Sequence, residues 1–200
     1  MQIVDFIVDS HQEYDDYHCL VLFSKGCNFR CHHCYNLPVI NKKAIGDAND
    51  IMMKHVHPMH EAVVFLGGEP TIWGDKLVLS TIFAKEKFGL MTKVFTNGFK
   101  PDVIKKLIIN KSVDAFSVDL KCVDECEQLL GINVHRQTYL EIVGDSITAI
   151  IEAGLPIEIR TTNLSKPMTD KVLQLVQHCW PGVTHIIQED FHDQVMRAMA

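Results

Sequence analysis

Short apolar runs alternate with amphipathic segments over most of this chain, and this alternation constrains the fold more than any other feature. Residues 62–66, for example, form an apolar run that stops at Gly67 and Gly68. Short apolar runs with such stops are typical of buried β-strands. Segments such as 75–88 instead place their apolar side chains on one side of a helix. Strands that alternate with helices predict an α/β fold with a parallel sheet and helical crossovers.

We predict a set of six alternating strands, and four main helices between them. The predicted strands are 18–24, 62–66, 92–96, 113–120, 155–161 and 183–188, and the helices are 75–88, 102–110, 139–153 and 169–178. Six strands are too few for a closed eight-stranded barrel. The preferred fold is therefore an open six-stranded parallel partial barrel (a partial TIM barrel), and the alternative is a flat doubly wound sheet.

Smaller elements complete the prediction. A short strand and an acidic, tyrosine-bearing loop are expected in residues 1–17, a short helix near 47–57, and a tail helix over 190–200. No linker, repeat or low-complexity segment interrupts the sequence. We expect one domain over 1–200, with its core at about 18–191.

The composition limits the class of protein. The 200 residues are 47% hydrophobic and 22% charged, as in globular domains. No apolar run approaches the roughly 20 residues that span a bilayer, and the first residues lack the features of a signal peptide. A net charge of −6 argues against a general nucleic-acid surface. We therefore expect a cytoplasmic protein with no nucleic-acid or membrane partner.

Three cysteines, Cys27, Cys31 and Cys34, follow the first predicted strand of the alternating set at C-x3-C-x2-C spacing. Thiolates hold iron–sulfur clusters, usually four to a cluster, so three on a four-iron cube would leave one iron open. The alternative is a zinc site of the Cys3His type, with His32 or His33 as the fourth ligand. The spacing favours the cluster, because structural zinc sites usually split their ligands into two separated pairs.

Polar or glycine-rich groups follow the other strands. Parallel α/β folds place their catalytic and ligand-binding residues at these strand ends. Gly67 and Gly68 allow a ligand to approach the backbone closely, and Glu69 offers an acceptor for an ammonium group. The remaining strand-end groups are Thr96 and Asn97, then Ser117, Asp119 and Lys121 on one face of a strand, and Arg160. The alternatives are plain turns, a surface Asp–Lys pair, and an Arg160 paired with Glu69 or Asp119.

The cysteine triplet resembles the signature of the radical S-adenosylmethionine (SAM) superfamily. The stretches GGEP at 67–70, TNG at 96–98 and DLK at 119–121 are similar to those of its glycyl-radical enzyme activases. The stretch RTT at 160–162 resembles a subgroup, the anaerobic ribonucleoside-triphosphate reductase activating proteins. The closing segment, 186–188 with Phe191 after it, is also similar. The resemblance runs from about 19 to 191.

The resemblance implies a [4Fe–4S] cluster held by the three cysteines, with SAM chelating the open iron. An electron from the cluster would cleave SAM to a 5′-deoxyadenosyl radical, which would take a hydrogen from a glycine of a partner enzyme. The implied partners are a glycyl-radical enzyme and an electron donor of the flavodoxin or ferredoxin type. The implied SAM pocket consists of His33, Gly67, Gly68, Glu69, Thr96, Asn97, Ser117, Asp119, Lys121 and Arg160.

Other interpretations remain open at this point. One alternative is a radical SAM enzyme that modifies a small molecule or peptide. Another is a zinc-binding structural module. Some related activases have an acid where this chain has Phe95, so we predict that a monovalent cation binds here weakly or not at all. A second metal site at His55, His57 and His60 is disfavoured by Pro58.

Cys122 and Cys126, four residues apart, are a possible redox pair. Because free cysteines usually behave as small apolar residues, we interpret them as part of the core.

Overall fold

The computed structural model describes residues 1–163 and 165–189. Its strands are β1 (Gln2–Ser10), β2 (Cys19–Ser24), β3 (Gly46–Asp47), β4 (Ala62–Gly67), β5 (Met91–Thr96), β6 (Ala115–Asp119), β7 (Ile157–Asn163) and β8 (Thr184–Glu189). Its α-helices are α1 (Leu37–Ile40), α2 (Ala48–His55), α3 (Asp75–Phe88), α4 (Pro101–Ile109), α5 (Cys126–Leu130), α6 (Arg136–Glu152) and α7 (Lys166–Cys179). The predicted tail helix and Phe191 lie outside the described residues.

The described strands form one sheet in the order β3-β1-β2-β4-β5-β6-β7-β8. The strands from β2 to β8 along this order pair in parallel, and they correspond to the six that the sequence predicts. Strands β1 and β3 extend the β2 edge by antiparallel pairing. The predicted count of six is therefore wrong for the whole sheet, which has eight described strands. Two-residue β3 is too short to give a sequence pattern.

Local sequence explains where several elements begin and end. Pro101 occupies the first turn of α4, where its missing N–H costs nothing. The Asp47 side chain accepts a hydrogen bond from the Asn49 N–H and caps α2. Helix α3 ends at Gly89, whose φ of 69° suits glycine. None of the described helices is long and apolar enough to cross a membrane.

The two faces of the sheet differ in what covers them. Alternate residues of the strands, such as Leu20 and Phe65, pack into the main core with the helices. The opposite face carries a smaller apolar cluster around Val21 and Val64, against which Tyr14 and Tyr17 pack. The parallel strands all end at the same edge of the sheet. The register places Gly67 beside Ser24 and Arg160 beside Asp119 there.

Candidate cofactor site

A cavity of about 470 Å³ opens at the carboxyl edge of the parallel strands. This size is within the usual range for small-molecule and cofactor sites. The predicted site residues that line it are Cys27, Cys31, His33, Cys34, Gly67, Gly68, Glu69, Thr96, Asn97, Asp119, Lys121 and Arg160. Residues that are far apart in the sequence thus meet in one place, as the parallel topology requires.

The cysteine loop is anchored by backbone hydrogen bonds to the end of α5. The Arg30 N–H donates to the Leu130 carbonyl at 2.8 Å, and the His32 N–H donates to the Leu129 carbonyl at 3.3 Å. Gly131 allows this close approach, because a Cβ there would lie 2.4 Å from the Arg30 carbonyl oxygen and its φ is +62°. The loop is therefore held in place by the part of the chain that follows Asp119 and Lys121.

Two of the three thiols are in an environment that opposes ionisation without a metal. Burial raises the pKa of Cys27 to about 12, and the nearby Glu69 carboxylate adds to the shift. Burial also raises the pKa of Cys31, and the Lys121 ammonium opposes that shift. Since the thiolate is the form that binds metal, a bound cation would supply the charge that this site otherwise lacks.

The turn after β4 packs directly on the cysteine loop. A Cβ on Gly68 would lie 1.8 Å from the Gly26 carbonyl oxygen, and one on Gly67 would lie 2.6 Å from the Ser24 nitrogen. The Glu69 N–H donates to the same Gly26 carbonyl at 2.8 Å. Any larger side chain at either glycine would push this turn away from the cysteines. Gly67 and Gly68 are therefore required for the contact between this turn and the cysteine loop, and do not form only an ordinary turn.

Glu69 is buried and joins two strand ends. Its Oε1 accepts from the Thr71 N–H, the Thr71 hydroxyl and the Thr96 hydroxyl, at 3.0, 2.6 and 2.7 Å. Its Oε2 accepts from the Asn97 N–H at 2.6 Å. Burial raises the pKa of the Glu69 carboxyl, and these donors oppose the shift. The sequence predicts an acceptor for a ligand ammonium, whereas the structure uses most of the carboxylate's acceptor capacity to hold the TNG turn.

Asn97 continues this connection to the cysteine loop. Its Nδ2 donates to the Asn28 Oδ1 at 2.8 Å, and Asn28 directly follows Cys27. Its own Oδ1 accepts from the Phe99 N–H at 3.0 Å. The three turns after β2, β4 and β5 are thereby linked through Glu69, Asn97 and Asn28.

Asp119 and Lys121 form an ion pair at the end of β6, with 2.9 Å between Oδ2 and Nζ. Burial disfavours the charged form of Lys121, but Asp119 and the nearby cysteines more than compensate and raise the pKa of Lys121. The Lys121 N–H donates to the Tyr139 hydroxyl at 3.0 Å. Because both charged groups line the cavity, the pair presents one anion and one cation to a bound ligand.

Arg160 is paired with Glu158 rather than with Glu69 or Asp119. Its Nη1 lies 3.5 Å from the Glu158 Oε1, which Lys93 also contacts at 3.2 Å. The Phe95 ring packs against both cations, with its centroid 5.0 Å from the Arg160 guanidinium carbon and 4.9 Å from the Lys93 Nζ. Phe95 thus contacts the arginine at the position where some of the activases that the sequence resembles have an acid. Weak or absent binding of a monovalent cation stays a prediction.

Ser117 is the one predicted pocket residue outside the cavity lining of the described residues. It lies two residues before Asp119 in β6, deeper in the sheet, opposite Phe95. The sequence pattern did not indicate several further lining residues, including Gln12, Glu13, Tyr35 and Asn36. Adjacency to Cys34 would have indicated Tyr35 and Asn36. No motif marks Gln12 or Glu13.

The donor set of the cavity fits an iron–sulfur cluster and an amino-acid ligand. It offers three thiols from one loop, backbone groups of Gly67 and Gly68, and side chains of both charges. A carboxylate such as Asp119 suits an ammonium group, and a guanidinium such as Arg160 suits a carboxylate.

Comparison with known proteins assigns the family. The model of the radical SAM superfamily matches residues 21–177. A Methanocaldococcus jannaschii protein with the name "Putative glycyl-radical enzyme activating enzyme" is 30% identical over 175 residues, which are 86% of this chain and 72% of the relative. A second protein of that organism and name is 32% identical over 141 residues, 70% of this chain and 52% of the relative.

Solved structures show the same fold. The structure of native anSMEcpe with bound AdoMet matches 84% of this chain and 49% of its own, with a TM-score of 0.58 and 19% identity. The polyhistidine-tagged form matches with a TM-score of 0.57 and 19% identity, over 84% of this chain and 48% of its own. This chain spans about half the length of these proteins, and at such identity the likeness shows the fold alone.

Radical SAM enzymes use a [4Fe–4S] cluster and SAM, and both suit the donors found in the cavity. The family match covers the cysteine loop and the strand ends from β4 to β7. This chain therefore belongs to the radical SAM superfamily, within its group of glycyl-radical enzyme activating enzymes.

Proposed function

We propose that this chain activates an anaerobic ribonucleotide reductase by generating a glycyl radical on it. One observation carries the proposal: the cysteine triplet lines the same cavity as the GGE, TNG and DLK groups. The assignment to a reductase, rather than to another glycyl-radical enzyme, depends on the RTT stretch that begins at Arg160. When bound, the cluster supplies the electron that cleaves SAM, and the resulting radical removes a hydrogen from the partner's glycine.

The residues of the chain then have distinct roles. Cys27, Cys31 and Cys34 hold the cluster and leave one iron for SAM. Arg160 binds the SAM carboxylate, and Asp119 binds the ribose hydroxyls or the ammonium group. Lys121 holds Asp119 in position through the 2.9 Å ion pair.

Other residues position the ligand by shape rather than by charge. The backbone of Gly67 and Gly68 approaches the SAM amino group. Glu69 acts mainly as a positioning residue, because its oxygens already accept four hydrogen bonds from protein donors. His33, which is buried and lines the cavity, provides a flat ring for the adenine. Thr96 and Asn97 keep the third turn against this pocket.

The same proposal covers the setting of the reaction. We propose that the parallel strands curve as a partial barrel whose open side admits a glycine-bearing loop of a large partner. A flavodoxin or ferredoxin supplies the electron, and the chain works in the cytoplasm as a single radical SAM domain. The M. jannaschii relatives support a glycyl-radical partner through their names, and these names do not specify a reductase.

The test is electron paramagnetic resonance on the reconstituted protein mixed with a candidate reductase, SAM and a reductant. The expected result is a glycyl-radical signal on the reductase, and release of 5′-deoxyadenosine. A reductase variant with alanine at its radical glycine is the control, and should give no such signal. If SAM is consumed and a small molecule or peptide is modified while no reductase acquires the signal, the proposal is wrong.

A further inference from the structure

A cluster of histidines lies at the edge of the sheet opposite to the cofactor cavity. We name Asp9, His18, His57 and His60 the histidine cluster. Asp9 is near the end of β1, His18 directly precedes β2, and the turn 57–60 precedes β4. Cys19 pairs with Ala62 there, so these segments meet at the amino edge of the parallel strands. The cofactor cavity begins at the other end of the same strands.

The imidazoles converge on one carboxylate oxygen. The Asp9 Oδ1 lies 2.8 Å from the His18 Nε2, 2.9 Å from the His57 Nε2 and 3.6 Å from the His60 Nε2. Two ligands held ~2.0–2.1 Å from one tetrahedral ion lie about 3.3–3.4 Å apart. The three measured separations bracket that value.

The arrangement is specific to these residues. The ring centroids of His57 and His60 are 3.8 Å apart, and His18 lies 5.7 and 5.2 Å from them. Asp9, His57 and His60 place one ligand atom each within 4.8 Å of the others, and no other described trio of His, Cys, Asp or Glu does so. His55 takes no part, because its ring packs on Phe6 at 4.4 Å.

We propose that the histidine cluster binds one divalent first-row transition-metal ion, zinc in the first instance, through the Asp9 carboxylate and the Nε2 atoms of His57 and His60, with the His18 Nε2 moving in from its position beside Asp9 as the fourth ligand. Imidazole nitrogen and one carboxylate are donors that zinc prefers, and four of them complete a closed, structural site. The Asp9 side chain is 57% exposed, so an ion can enter from solvent. The ion would join three segments of the chain at the amino edge of the sheet.

Binding requires a local change in the turn 57–60. The His57 Nδ1 accepts from the Met59 N–H at 3.3 Å, and the His60 Nδ1 accepts from the His57 N–H at 3.1 Å. The His60 Nε2 also lies 2.6 Å from the Val8 carbonyl oxygen. When Nε2 binds a metal, Nδ1 carries the ring proton, so the two amide hydrogen bonds must open. The hydrogen bond from the His60 Nε2 to the Val8 carbonyl must open as well, because a metal-bound nitrogen has no proton to donate. Metal loading should therefore alter the amide resonances of His57 and Met59.

The experiment adds zinc to the protein after reconstitution with iron and sulfide, and removes free metal. Metal analysis and zinc-edge X-ray absorption then report the amount bound and its ligands. We expect one zinc per chain, with nitrogen and oxygen ligands and no sulfur. Failure to retain zinc, or sulfur in its coordination shell, would overturn the proposal, since sulfur would mean binding at the cluster cysteines.

Variants assign the ligands. Asp9→Asn and His57→Asn should each weaken zinc binding at least about tenfold. His55→Asn, in the same segment but outside the histidine cluster, is the matched control and should bind like the wild type. Normal iron content in all variants would show that they are folded. Equal zinc affinity in His55→Asn, His57→Asn and Asp9→Asn would reject the site.

Discussion

The two edges of the parallel sheet gather metal-binding side chains in different ways. At the carboxyl edge, Cys27, Cys31 and Cys34 are close neighbours in one loop, and they also share a cavity. At the amino edge, Asp9, His18 and His57 come from three separate segments, yet they meet around one carboxylate oxygen. A contiguous motif can be recognised in the sequence, together with the chemistry that it implies. A site assembled from separate segments is visible only after the strands have been placed in register.

The two edges also differ in how they are held. At the carboxyl edge, backbone and glycine contacts dominate, with the buried carboxylate of Glu69 joining two turns. At the amino edge, side chains contact one another directly, and Asp9 is largely open to solvent. The first arrangement is held by contacts within the protein that need no cofactor. The second would gain its rigidity from an ion.

The largest effect is expected from replacing the cluster cysteines, which should disrupt the carboxyl edge and leave the amino edge unchanged. Cys27→Ala, Cys31→Ala and Cys34→Ala should each abolish stable cluster binding, because a four-iron cluster held by two thiolates lacks an essential ligand. Zinc uptake at the histidine cluster should persist in these variants. Iron content and broad absorption near ~400 nm after anaerobic reconstitution provide the measurement.

Matched cysteine controls sharpen this test. Cys179 is exposed on α7, far in sequence from the loop, so Cys179→Ala should keep the iron content of the wild type. Cys122→Ala should do the same, because Cys122 is buried in the main core. Loss of the cluster in either control, with retention in Cys27→Ala, would refute the assignment.

A smaller effect is expected at the charged residues of the carboxyl edge. Arg160→Ala and Asp119→Asn should each weaken SAM binding by about 1.5–3 kcal/mol, or roughly ten- to a hundred-fold, since each loses one charge-assisted contact. Titration of SAM into the reconstituted variants measures this. Arg136→Ala and Asp75→Asn remove similar groups outside the cavity and serve as controls. Affinities equal to those of the controls would exclude Arg160 and Asp119 from the pocket.

Much of the fold could be predicted because each parallel strand carries its own local signal. The apolar run 62–66 and its glycine stop mark β4 without reference to any other part of the chain. The two residues of β3 carry no such pattern, and they form a strand only because β1 lies beside them. An element can therefore be predicted from sequence only to the extent that its own residues, rather than its neighbours, determine its structure.

The same reasoning explains what the sequence could not show about the site. Glu69 was predicted to face a ligand, and its type and position gave no sign that Thr96 and Asn97 already occupy its oxygens. Alternation correctly placed Ser117 on the face of Asp119, but it could not give the depth at which the cavity ends. Phe95 shows the converse case: the sequence indicated a missing acid, and the structure shows Lys93 and Arg160 both packed against its ring.

The most direct test of the cofactor site is the electron paramagnetic resonance spectrum of the reduced cluster, recorded before and after SAM is added. If SAM binds the one iron that the three cysteines leave open, the spectrum should change on addition of SAM in the wild type. The change should require higher SAM concentrations in Arg160→Ala. A spectrum that is unaffected by saturating SAM would contradict the claim that the carboxyl edge is a radical SAM site.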